Sequence, residues 1–403
     1  MGQGYYGQDN GSTYYDWWEE NEYNPYVYKR RKKFPKGKVI LIIIILLLLV
    51  AGGALLLHLF FNNANPFFNE AGGDIYCYYE SLSPKEQTTY NKILNGIRKS
   101  EPEIELEGTS FKDVERIVNM IYADHPEIFW AGKWSSVTTF RNMTLSFEYK
   151  YTASEIKSRQ AEIEDSVKAF LETAQDMPSE YEKIKSVYEY ILDTVEYAAG
   201  CADNQNLYSP LVNHKSVCAG YARGTQYLLQ RLGIQAIYVS GTADGDGGWD
   251  NHAWNIVRCG ENYYQMDCTF GDGLADSFSF GRLQKPNIRN YAYLCRDDKD
   301  FAVDHKWNDY ELPLPKCTTD DLNYYKLNGM YSSTYDESVD ESMKESILAG
   351  EQIWVWQFGD YDPALESKIT EKYREYLQEY SKASSMWHFY LEGQNLFICG
   401  YLL

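Results

Sequence analysis

The sequence predicts an α+β protein in which a cysteine at a helix N-terminus meets a histidine and an aspartate on an antiparallel hairpin. Three observations carry that expectation. Val217-Cys218-Ala219-Gly220-Tyr221-Ala222 follows a polar run at 213–216 and opens an apolar-periodic segment that stops at Gly233, as a helix with a glycine stop does. His252, Trp254 and Ile256 alternate onto one face of a strand. Gly260-Glu261-Asn262 then turns the chain, and Tyr263 to Met266 returns to Asp267. Such a hairpin brings His252 and Asp267 to the same end.

In chain order, the first 28 residues are rich in Gly, Tyr, Asn and Gln and lack any period, so they read as a disordered tail. A basic run from Lys29 to Lys38 completes the segment 1–38. Tyr6 stands where a myristoylation signal needs Ser or Thr. Val39 to Phe61 follows, apolar except for His58 and 23 residues long, enough to cross a hydrocarbon layer of about 30 Å. A signal-peptide core would be shorter and end in a small-residue cleavage site. The positive flank places the tail in the cytoplasm and everything beyond residue 62 outside the cell membrane, on a single-pass anchor. The net charge of −20 argues against a nucleic-acid partner, which wants a basic face.

Residues 62–150 read as a helical and β region. Ser83-Pro84-Lys85-Glu86 is a capping box, with Tyr90, Ile93, Leu94 and Ile97 at helical spacing behind it. A second helix runs from Ser110 through Val114, Ile117, Val118 and Ile121 to Asp124. His125, before a proline and without a metal-spaced partner, reads as structural. Short strands are expected at 129–130, 137–140 and 144–149. In the segment 151–309, helices at 154–173 and 179–197 precede the cysteine, and a strand at 234–240 follows its helix. Gly241 to Asn251, rich in glycine and carrying Asp244, Asp246 and Asp250, lacks the glutamate of a calcium loop and reads as a flexible loop beside His252. Leu312-Pro313-Leu314-Pro315 reads as a linker to a small α/β unit over 310–403, with helices at 336–348 and 362–382 and strands at 352–358, 387–391 and 395–402.

The chemistry lies in three residues. A thiolate nucleophile needs a base to take its proton and return it to a leaving group, and the base needs a partner that fixes its tautomer. Cys218, His252 and Asp267 supply those roles in that order. The cysteine at a helix start gains from the positive end of the helix dipole. Neither a metal nor a cofactor is expected, because the cysteine spacings match no zinc site. Seven cysteines remain beside Cys218, an odd number that cannot all pair; Cys259 and Cys268 flank the hairpin and are candidate neighbours.

Val217 to Ala222, Asn251-His252-Ala253-Trp254-Asn255 and Met266-Asp267-Cys268-Thr269-Phe270 resemble the three signature blocks of the transglutaminase-like superfamily. These are papain-fold thiol enzymes, often membrane-anchored in bacteria. The resemblance runs from Ser179 to Trp307 and includes Tyr208-Ser209-Pro210-Leu211-Val212. It implies a papain-like core, with Cys218 as nucleophile, His252 as general base and acid, and Asp267 orienting His252. Cys268 and Phe270 depart from the usual third block, and a second thiol there implies redox sensitivity. The Cys218 backbone N–H and the Tyr208 side chain are the candidate oxyanion donors. Trp254 and Tyr221 are candidate groove residues. Asp124 to Trp130 resembles the segment that precedes this domain in clostridial-type surface relatives.

The expected function is a membrane-anchored extracellular cysteine enzyme that attacks amide bonds through an acyl-thioester, with peptide or protein, cell-wall peptide included, as substrate. Hydrolysis is favoured over cross-linking of the protein-glutamine γ-glutamyltransferase kind. The rival is a non-catalytic surface module that binds wall glycan or a partner protein. A structural anchor led by the Tyr-rich tail rests on composition alone.

Overall fold

The capping box at Ser83 forms as the sequence predicts, and it starts the first substantial helix of the computed structural model, which describes residues 75–140, 142–245, 247–272, 289–307, 312–359 and 362–402. The predicted anchor at 39–61 lies outside those residues. Among them, no helix is long and apolar enough to cross a membrane. A short helix α1 (Cys77–Ser81) leads into α2 (Pro84–Arg98), which buries Tyr90, Ile93, Leu94 and Ile97. Strand β1 (Ile104–Glu107) and helix α3 (Phe111–Asp124) follow, and α3 buries Val114, Ile117, Val118 and Ile121. Strands β2 (Ala131–Thr138) and β3 (Asn142–Tyr149) complete an antiparallel sheet in the order β1-β3-β2. The strand expected at 129–130 is absent: Phe129 and Trp130 are buried just before β2 and belong to the core.

Helices α4 (Ala153–Gln175) and α5 (Glu180–Thr194) come next, each capped by the hydroxyl of the preceding residue, Thr152 or Ser179. Two-residue strands β4 (Glu196–Tyr197) and β5 (Lys215–Ser216) pair in parallel and close the polar loop between them. Helix α6 (Cys218–Arg231) then begins at the cysteine itself. It ends at Gly233, whose φ of 79° suits glycine alone. There the Gly233 and Ile234 N–H groups return to the carbonyls of Gln230 and Leu229, a Schellman closure.

Against α6 packs an antiparallel sheet built from β6 (Ala236–Gly245), β7 (Gly248–Cys259) and β8 (Asn262–Met266). Short helices α7 (Cys268–Asp272) and α8 (Asp298–Phe301) precede strand β9 (His305–Trp307), and the sheet order is β8-β7-β6-β9. The stretch expected to be a flexible loop is instead a ladder, with Gly241↔His252 through Gly245↔Gly248 in register. One of its glycines, Gly241, serves close approach. A Cβ on Gly241 would lie 2.1 Å from the Lys306 carbonyl oxygen and 2.7 Å from the Trp254 ring, so only glycine lets β9 pair at that point.

Helix α9 (Tyr324–Leu327) and strand β10 (Tyr331–Ser332) lead to α10 (Glu337–Leu348), β11 (Ile353–Phe358), α11 (Pro363–Tyr380), β12 (Ser385–Leu391) and β13 (Leu396–Leu402). The sheet order is β10-β11-β13-β12. Along β13, Phe397, Cys399 and Tyr401 face the core that α10 and α11 cover, while Leu396 and Ile398 pack with Tyr325 and Ala292. The period of two therefore buries both faces of this sheet, one of them against the 290–294 segment.

One contact sets the attitude of α6. The last carbonyls of a helix lack intrahelical partners, and those of α3 are met by α6 side chains. Arg223 Nη1 donates to Tyr122 O (3.0 Å), Gln226 Nε2 to Ala123 O (2.6 Å) and Gln230 Nε2 to Asp124 O (2.9 Å). The Asp124 carboxylate in turn accepts from the Tyr78 and Tyr79 N–H groups and the Tyr90 hydroxyl. His125 is buried and bonds Glu127 (2.8 Å), as a structural histidine would. Gln226 also donates to the Ala236 carbonyl at 3.0 Å. Replacing Gln226 by Leu leaves both carbonyls buried and unpaired, and is expected to lower the unfolding free energy by about 3 kcal/mol. Urea denaturation reads this; a loss below about 1 kcal/mol would show that α6 does not depend on the cap.

Candidate active site

Cys218 occupies the first position of α6, after Val217 in extended conformation. Its backbone N–H points out of the helix end without an intrahelical acceptor. Ala219, Ala222 and Ala253 surround it with small side chains, which leaves the sulfur accessible. Close approach is also enforced two residues on: a Cβ at Gly220 would fall 1.9 Å from the Ser216 hydroxyl.

His252 reaches the sulfur from β7. The strand is tied to α6 by Asn255, buried, whose amide donates to the Ala222 carbonyl (3.0 Å) and the Ile237 carbonyl (3.3 Å). The His252 ring lines the same cleft as Cys218 and is bonded through Nε2 to Asp267 Oδ2 at 2.6 Å. Burial disfavours its charge, but Asp267 and then Cys218 outweigh that and push the ring up to about 10. The imidazole is therefore protonated at neutral pH.

Asp267 follows the last residue of β8 and is buried. Its Oδ1 accepts from the backbone N–H groups of Thr269 (2.7 Å) and Phe270 (3.2 Å). Its Oδ2 accepts from His252 and also from His305 Nε2 at 3.0 Å. Burial alone would raise the carboxyl, but His252 and His305 hold it well below the usual carboxylate range. Ligand-type atoms of His252, Asp267 and His305 all lie within 4.8 Å of one another. The oxygen–nitrogen separations of 2.6 and 3.0 Å are those of direct hydrogen bonds.

A cleft of about 650 Å³ exposes Cys218 and His252, with Gln205, Tyr238, Asn251 and Trp307 among its walls. Three sequence-based candidates lie elsewhere. Tyr208 turns its hydroxyl to Glu162 and lays its ring under Arg159 (4.3 Å), so Gln205 is the upstream-loop side chain at the cleft. Trp254 is 1% exposed and donates through Nε1 to Gln265 (2.8 Å), so it belongs to the core although it shares a strand face with His252. Tyr221 is likewise 1% exposed, bonded to the Val195 carbonyl and Asp272. Cys259 and Cys268 sit at opposite ends of the β7–β8 ladder and both are free. Cys268 is buried, accepts from the Thr225 hydroxyl, and is pushed far up by burial, which opposes redox sensitivity.

Two residues at this site went unread in the sequence, Gln205 and His305. The signal for His305 was the alternation of buried His305, exposed Lys306 and half-buried Trp307, too short to be read as a strand.

The raised His252 gives a stability signature with a definite sign. Its folded value of about 10 exceeds the ordinary 6.5, so its contribution is full below about pH 6.5 and fades as the pH rises through 10. Asp267 acts at the opposite end, contributing above its ordinary 3.8 and withdrawing only in strong acid. Unfolding free energy is expected to fall from pH 6.5 to 10 more steeply in the native protein than in His252→Gln, by on the order of a few kcal/mol. Urea midpoints across that range measure it, and parallel slopes would contradict it.

Residues 168–268 match the model of the Transglutaminase-like superfamily, a span that contains Cys218, His252 and Asp267. The kyphoscoliosis peptidases of Mus musculus and Homo sapiens are 28% and 26% identical to this chain over 148 residues, 32% of its length. That match covers 21% of either relative, so the chain spans about a fifth of the curated relatives it matches. Among solved structures, the periplasmic domain of TgpA from Pseudomonas aeruginosa is similar at 14% identity and a TM-score of 0.22, over 34% of this chain and 62% of that one. The segment that carries the cysteine, the histidine and the aspartate is thus the part of the chain that is similar to the Transglutaminase-like superfamily.

Proposed function

We propose that this chain is a cysteine enzyme that cleaves amide bonds of peptides or proteins through an acyl-thioester, with water as the usual acceptor. The observation that carries the reading is His252, bonded to Asp267 and lining one accessible cleft together with Cys218. In the first half-reaction the Cys218 thiolate attacks the substrate carbonyl carbon and an S–C bond forms. The carbonyl oxygen gains negative charge and is met by the Cys218 N–H, with Gln205 a side-chain candidate in the same cleft. His252 gives its proton to the amide nitrogen, the C–N bond breaks and the amine leaves. Water then attacks the thioester, His252 takes its proton, and the C–S bond breaks to release the acid.

Polar cleft walls at Gln205, Ser240, Thr242 and Asn251 support water over an amine as acceptor. Alkylation of the full chain at pH 7 is expected to hit Cys218 about tenfold or more faster than the other seven cysteines, and His252→Ala is expected to abolish the difference. Equal reactivity would remove the enzymatic reading. A glutamine peptide offered with and without a primary amine distinguishes the acceptors: amine in the product would make cross-linking the activity.

We further infer that the segment 39–61 anchors the chain in the cell membrane with the domain outside, because its 23 apolar residues follow a basic run. Protease added to intact cells is expected to remove residues beyond 62; their protection would reverse the orientation.

A further inference from the structure

We propose that His305 is a positioning residue of this site: by donating to the same Asp267 oxygen that serves His252, it sets how firmly His252 holds its proton. Asp267 Oδ2 lies 2.6 Å from His252 Nε2 and 3.0 Å from His305 Nε2. Two donors on one oxygen divide its charge between them, so each bond is weaker than it would be alone. The ring of His305, fully buried, is held in place to do this. Its Nδ1 is 2.6 Å from Asp304 Oδ1, and Phe301 stacks on it with centroids 3.9 Å apart. Asp304 accepts from the Tyr293 hydroxyl at 2.5 Å, and Gln394, in the turn between β12 and β13, donates to that hydroxyl at 3.0 Å.

The polar and charged groups facing the two rings from each packed element are few. Around His305 they are Asp304 in the turn just before its strand, Asp267 after β8, His252 on β7 with ring centroids 5.5 Å away, and Tyr293. Arg296 stands 3.9 Å from Asp304. Around His252 they are Asp267, Cys218 and His305; Trp254 and Phe270 close the rest. The value of the arrangement is chemical. A His252 gripped by an undivided carboxylate would be a reluctant acid toward the leaving amine, and a proton donor works best near the operating pH.

The inference rests on the enzymatic reading above, and the experiment separates the two. In the full chain, the ring titration of His252 is followed by NMR with 13C-labelled histidine, its signal identified by its loss in His252→Ala. His305→Leu is expected to move the midpoint upward by about one pH unit. His305→Gln, whose amide can still reach Asp267, is expected to restore it to within a few tenths. If His305→Leu does not fold, His305→Asn serves, since its shorter amide keeps the Asp304 contact and loses Asp267; the same upward shift is expected. An unmoved or lowered midpoint, with Cys218 still selectively alkylated, overturns the role of His305 alone. Loss of that selectivity in the native protein overturns the enzymatic reading instead.

Discussion

The carboxylate of Asp267 is buried, ionised and surrounded by four donors, and most of what surrounds the cleft follows from having to satisfy it. An uncompensated carboxylate in such a place would cost several kcal/mol. The compensation comes from four directions: two backbone N–H groups at the start of α7, one ring from β7 and one from β9. Each donor fixes an element. The start of α7 must turn immediately after β8, β7 must present His252 at the Asp267 end of its ladder, and β9 must reach the far edge of the sheet. Gly241 is glycine because β9 could not pair there otherwise.

The sulfur is positioned by a second, independent set of contacts. Helix α6 is gripped along one face by the carbonyl end of α3 and on another by Asn255 of β7. Arg223 links these two sides, since it caps Tyr122 and lies 4.3 Å over the Tyr238 ring, which lines the cleft. The N-terminal helices therefore belong to the machinery that holds Cys218 in place. Moving α3 would move the helix that begins at the sulfur.

Much of this was legible in the sequence, and the limits have physical causes. The capping box at Ser83, the periodic faces of α2 and α3 and the glycine stop at 233 are local signals, and local chemistry decides them. The meeting of Cys218, His252 and Asp267 was legible because a helix start and a short hairpin leave little freedom. The assignments that missed depended on which side of an element faces the core. Trp254 shares a strand face with His252 in sequence, yet at the end of a twisted ladder one reaches the cleft and the other the core. Tyr208 and Gln205 lie three residues apart in one loop, and only tertiary packing places Gln205 on the cleft wall and Tyr208 on Glu162. His305 was illegible because its role comes from a three-residue strand paired across the sheet.

The alternation of charge explains why so many ionisable groups can share one buried place. From the cleft inward the order is sulfur, imidazole, carboxylate, imidazole, carboxylate: Cys218, His252, Asp267, His305 and Asp304. Each group has neighbours of the opposite kind, so burial penalises none of them in isolation. The row ends at Tyr293 and Arg296, and Gln394 donates to Tyr293 from the turn between β12 and β13. A row of this kind is stable only when complete. Removing any member leaves a neighbour buried with a partner missing, and a buried polar group left unpaired costs more than the bond that was lost.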